Sequence, residues 1–95
     1  MKPYVGLLVL DLLIPEALTL KDKRQVVRSV LDRTAARYNV SSAEIDHLDN
    51  HTLATLAFAC VANEPRRVHE VLSMVREVVE SETRLEVTDA KIEMY

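Results

Sequence analysis

The fold turns on the stretch Tyr4-Val5-Gly6-Leu7-Leu8-Val9-Leu10-Asp11-Leu12-Leu13-Ile14, closed by Pro15. Asp11 is its one charged residue. A run this short and this apolar fits a strand covered on both faces, the central strand of a sheet. Pro15 has no N–H to donate to a ladder, so the strand ends there. A second stretch of the same kind spans residues 52–62, with Leu53, Ala57, Ala59 and Val61 on one face and Leu56, Phe58 and Cys60 on the other. Two such strands in one chain predict two central strands.

The segments around them have other periods. Thr19 opens a helix, its hydroxyl placed to accept from the N–H of Asp22 and Asp22 placed to return the bond in a capping box. Leu20, Val27, Val30, Leu31 and Tyr38 recur at helical intervals, carrying the helix to about Tyr38. At about 100° per residue, Lys21, Arg24 and Arg28 fall on one outer stripe, while Lys23 falls inside the apolar arc and requires an acidic or carbonyl partner, or must snorkel to solvent. Asn39 is a stop. Residues 40–47 alternate as a strand, with Ala43 and Ile45 on one face and Ser42, Glu44 and Asp46 on the other, and Asp49-Asn50 supplies a turn. Asn63 is placed to cap a second helix with Pro65 in its first turn, where a missing donor costs nothing. Val68, Val71, Leu72, Val75, Val78 and Val79 mark the buried side of that helix. Residues 84–93, with Leu85 and Val87 as core positions, form a last strand.

Strand, helix, strand, strand, helix, strand is the order of a ferredoxin-like α+β fold. Right-handed crossovers put the first and third strands at the centre of a four-stranded antiparallel sheet with both helices on one face. The two strands apolar on both sides are those two. One domain over residues 1–95 is expected, since 95 residues fit one core and not two. The uncovered sheet face is then partly apolar, with small residues such as Gly6, Ala57 and Ala59 limiting the patch; an apolar patch there suits a partner or a second copy in a homodimer.

Composition removes several functions. Gly6 is the only glycine, which excludes the Gly-rich loops that bring backbone N–H groups to phosphate, and with them a nucleotide cofactor. Cys60 is the only cysteine, which excludes an internal disulfide and a multi-cysteine metal site. The longest apolar runs are too short to span a bilayer, and the N-terminus lacks a signal-peptide layout, so a cytoplasmic protein without membrane attachment is expected.

Candidate chemistry is sparse. His47 and His51, beside Asp46 and Asp49, have a ligand-like spacing but straddle a turn, where a polar hairpin explains them better than a metal. His69 falls on the polar side of its helix. Cys60 lies in an apolar strand and reads as an inert thiol. Asp11 suits the partner that Lys23 requires, or a position near the strand's exposed end, better than a catalytic acid. Ser29 and the Ser41-Ser42 pair have no motif around them. No catalytic, cofactor or metal site is therefore expected, and the chain reads as a non-enzyme.

The best surface signal is charge. Residues 19–38 hold Lys21, Lys23, Arg24, Arg28, Arg33 and Arg37 against Asp22 and Asp32, a local +4 in a chain of net charge −3. Charge runs are usually solvated faces; the functional reading is phosphate contact by Lys21, Arg24 and Arg28, with Arg33 and Arg37 to one side. Tyr4, Tyr38, Phe58 and Tyr95 are the only aromatics, with no pair placed to stack bases on the sheet. Structured or ribosomal RNA, read by shape and charge, fits better than single strands.

Three segments carry a resemblance to a known family: Leu20-Lys21-Asp22-Lys23-Arg24; Asn39-Val40-Ser41 through Glu44-Ile45-Asp46-His47; and Ala62-Asn63 through Arg67-Val68. Together they resemble the bacterial YlxP-like family over nearly the whole chain. The resemblance implies a ferredoxin-like fold in a small bacterial cytoplasmic protein. Genes of that family often lie near those for translation initiation and ribosome maturation factors, which implies a ribosome-linked role, and the resemblance brings no enzymatic residues. The expectation is a non-catalytic binding or accessory module, RNA- or ribosome-associated through its basic helix. The alternative is a protein-interaction or homo-oligomerising domain using the open sheet face.

Overall fold

The computed structural model describes residues 2–95. The elements are β1 (Tyr4–Leu13), α1 (Leu20–Arg37), β2 (Ser41–Asp46), β3 (Leu53–Ala62), α2 (Pro65–Glu80) and β4 (Glu86–Met94). The four strands form one antiparallel sheet in the order β2-β3-β1-β4. This is the ferredoxin-like β-α-β-β-α-β arrangement, with the two apolar strands at its centre.

Alternation sorts β1 into two faces. Gly6, Leu8, Leu10 and Leu12 are buried under the helices and pair across to Cys60, Phe58, Leu56 and Ala54 of β3. Val26, Val27 and Val30 of α1 and Val68, Leu72, Val75 and Val79 of α2 close the same core. The helix–strand packing puts α2 over β1 and β3, with α1 against α2 and β2.

Gly6 belongs to the helix side, and so it does not thin the open face as its sequence context suggests. A Cβ added there would overlap Val68 Cγ1 and meet Leu72 Cδ1 at 3.0 Å and Met94 Sδ at 3.2 Å. The missing side chain is what lets α2 sit against β1 at this point.

Local details differ from the sequence pattern in three places. Thr19 caps α1 by accepting from Asp22 N at 3.1 Å, but Asp22 Oδ2 accepts from Leu18 N at 3.0 Å, one residue before the cap, so the box is not closed on Thr19 itself. The N-cap of α2 is Glu64, not Asn63, and its side chain makes no capping bond; Pro65 at the first helical position sets where the helix begins. β2 is interrupted between Glu44 and Asp46, where the register with β3 shifts, leaving Ile45 exposed.

Candidate nucleic-acid interface

α1 positions the basic residues, and the core decides which of them stay free. Val26, Val27, Val30 and Thr34 face inward, which turns Lys21, Arg24 and Arg28 out together. These three and Gln25 border one shallow stretch of surface. Asp32 and Glu44 border the neighbouring groove with Arg24 and Arg28, yet none of the ion pairs among the described residues uses Lys21, Arg24 or Arg28.

The other basic residues of α1 are spent or turned away. Lys23 is fully buried, and its ammonium donates to Glu44 Oε2 at 2.8 Å, His47 O at 2.8 Å, Leu53 O at 3.2 Å and, more weakly, Leu48 O at 3.5 Å. The required partner is thus Glu44 together with the β2–β3 turn. Asp11 has a different bond: its carboxylate accepts from the Thr55 hydroxyl at 2.8 Å on the open face of the sheet.

Arg33 donates to Glu82 at 3.0 Å and is held there as part of the fold. Arg37 lies about 180° around the helix from Arg28. It lines a separate cleft with Arg67 of α2. Of the five basic residues, Lys21, Arg24 and Arg28 share the stripe, Arg33 is paired with Glu82, and Arg37 borders another cleft.

Glu82, in the α2–β4 connection, was not legible as a site residue. It is buried and accepts from Arg84 Nε at 2.8 Å, Arg84 Nη2 at 2.9 Å, Arg84 N at 3.0 Å and Arg33 Nη2 at 3.0 Å. The hydrogen bonds from Arg84, helped by the charge of Arg33, hold its carboxyl down at about 2 against an ordinary 4.5. Its link to Arg33 spans just over half the chain, so no local spacing announces it.

The remaining candidates stay apart. His47 sits in the turn after β2 with φ 60, in the left-handed region that few non-glycine residues occupy. His51 faces elsewhere, its Nδ1 2.8 Å from Ala17 O, tying the β2–β3 turn to the segment before α1. No group of three or more His, Cys, Asp or Glu gathers as metal ligands among the described residues. Cys60 is on the helix side of β3, about 17 Å along the strand from Thr55 and its partner Asp11. Burial pushes its thiol pKa up, partly offset by the charge of Arg67. Asp11, His47 and Cys60 share no site.

The open face carries Val5, Leu7, Val9, Ala57, Ala59 and Val61, with Val5 39% and Val61 60% exposed. No described helix is long and apolar enough to cross a membrane.

Fold and surface together define a small α+β domain with one charged helix face and one bare sheet face. The chain belongs to the family described as "Protein of unknown function (DUF503)", whose model matches residues 5–92. It is 26% identical over 91 residues to "Uncharacterized protein YlxP" of Bacillus subtilis (strain 168), covering 96% of this chain and 99% of that protein. Among solved structures it resembles the de novo designed protein LFR1 1 with ferredoxin fold at a TM-score of 0.56 and 15% identity, covering 97% of this chain and 82% of that one. It also resembles the de novo designed protein Foldit4 at 0.53 and 11%, covering 97% and 96%. Those two likenesses speak for the fold.

Proposed function

We propose that this protein is a non-catalytic cytoplasmic accessory module that binds structured RNA, with the ribosome as its setting, by setting Lys21, Arg24 and Arg28 against the phosphate backbone. One observation carries the reading: these three cations share an exposed stripe of α1 and take part in no ion pair among the described residues. They span about 10 Å of helix axis at 1.5 Å per residue, a length over which a polyanion presents several charges. The absence of a stacking pair among the aromatics favours recognition by shape and phosphate rather than by splayed bases.

The test is fluorescence anisotropy with a labelled duplex-containing RNA across a salt series. Three phosphate contacts give a slope of log K against log salt of about −2 to −3. Lys21→Gln, Arg24→Gln and Arg28→Gln combined weaken binding by about tenfold or more at low salt and flatten that slope. The same affinity in the triple variant overturns the proposal.

A second reading rests on a different observation, the exposure of Val5 and Val61 beside Leu7, Val9, Ala57 and Ala59 on the helix-free face. There the domain pairs with a second copy through its sheet. Sedimentation equilibrium showing a dimer that persists at high salt supports it, and a monomer at the highest concentrations removes it.

A further inference from the structure

At the end of α1 remote from Lys21, a cleft of about 270 Å³ is lined by Arg37, Tyr38, Asn39, the β3 end Cys60–Ala62, and Arg67 and Val71 of α2. Its size falls just under the roughly 300–1,000 Å³ of pockets that take drug-sized ligands, which suits a small group. Its chemistry is one-sided. Two arginines from different elements line it, and no acidic residue does.

The donors around the cleft are largely unspent. The Arg37 guanidinium, the Tyr38 hydroxyl and the Asn39 amide make no side-chain hydrogen bond among the described residues. Arg67 has one long contact, Nη1 to Glu70 Oε2 at 3.4 Å, within an exposed pair three residues apart on α2. Such a pair is weak, and the rest of that guanidinium remains available. A cleft lined by two arginines, by Tyr38 and Asn39 with unspent donors, and by no acidic residue matches the acceptor-only oxygens of a phosphate.

We infer that this cleft is an anion site that takes a single phosphate group between Arg37 and Arg67. It is distinct in place from the Lys21–Arg24–Arg28 stripe: it lies at the other end of α1 and draws its two arginines from different helices. The ligand is free phosphate or a terminal phosphate monoester, since both present the same oxygens.

The test is an NMR titration of amide resonances with inorganic phosphate at constant ionic strength, with chloride as the reference salt. The expected result is saturable shifts confined to Arg37, Tyr38, Asn39, Ala62 and Arg67. Arg37→Gln and Arg67→Gln, both changes at exposed side chains, each weaken the fitted affinity by about tenfold. The Lys21/Arg24/Arg28 triple glutamine variant keeps it, which separates this site from the RNA reading. A parallel titration with a nucleoside 5′-monophosphate identifies the source: tighter binding points to a terminal monoester and equal or weaker binding to free phosphate. Shifts that scatter over every basic side chain without saturating, or that survive both single substitutions, overturn the proposal.

Discussion

Lys23 and Glu82 carry the two charges whose removal the fold would feel most. An ammonium with no exposed surface is tolerated only because a carboxylate and backbone carbonyls surround it. Lys23→Met leaves Glu44 and Leu53 O without that donor, while His47 O keeps the Asn50 N–H at 3.0 Å. Urea denaturation is expected to show a loss of about 3–5 kcal/mol, the usual cost of breaking a buried pair from one side. Adding Glu44→Gln to Lys23→Met recovers part of it, since the stranded charge is then gone. Glu82 acts through pH. Its carboxyl is held at about 2 against an ordinary 4.5, so its stabilising contribution is complete above pH 4.5 and is lost as pH falls from there through 2. The shift corresponds to about 3 kcal/mol, and about 2 kcal/mol after discounting for the half-exposed arginines that hold it. Glu82→Gln is expected to lose about that much at pH 7, with the gap to the parent protein closing as the acid limb is descended.

At the level of elements, the contact between α2 and β1 is set by one absent side chain. Gly6→Ala drives a methyl into Val68 Cγ1, an atom of a short branched side chain that has little room to yield. Thermal unfolding should report a loss of about 1–3 kcal/mol, and Val68→Ala in the same chain should return part of it by vacating that space. The elements themselves were legible in the sequence. The two central strands followed from residues apolar on both faces, α2 from its valine spacing, and the stop of β1 from Pro15. The face of Gly6 required the register of β1, which a continuous apolar run does not reveal. The bulge at Ile45 was hidden for a related reason: an edge strand with one solvated face tolerates an extra residue without disturbing its alternation. Of the candidate surface, helical geometry alone gave the Lys21–Arg24–Arg28 stripe. The fate of Arg33 depended on Glu82, a partner at long range, and the company of Arg37 depended on where α2 docks.

Across the whole molecule, the α1 cations and the helix-free sheet face lie on different sides, and that sheet face also carries Glu93 and Lys91 of β4 opposite Leu7 and Val9. The helix layer presents the free cations of α1, and the bare side of the sheet presents Val5 and Val61. RNA on one face and a second copy on the other would not compete for surface. The buried ammonium of Lys23 also joins parts of the chain that must meet in order: α1 at one end, and Glu44, the His47 turn and Leu53 at the other. Stripping water from an ammonium before its acceptors are in place raises the barrier rather than lowering it. The expected order is that the hairpin closes before Lys23 is drawn under it, so that these bonds are absent from the transition state, which a chevron measurement checks. Interactions absent from the transition state slow escape from the native state without hastening arrival. In a chevron measurement, Lys23→Met should leave the refolding limb nearly in place and raise the unfolding limb. Lys23 thereby works as a catch on the folded state, setting how long each molecule stays folded more than how quickly it gets there.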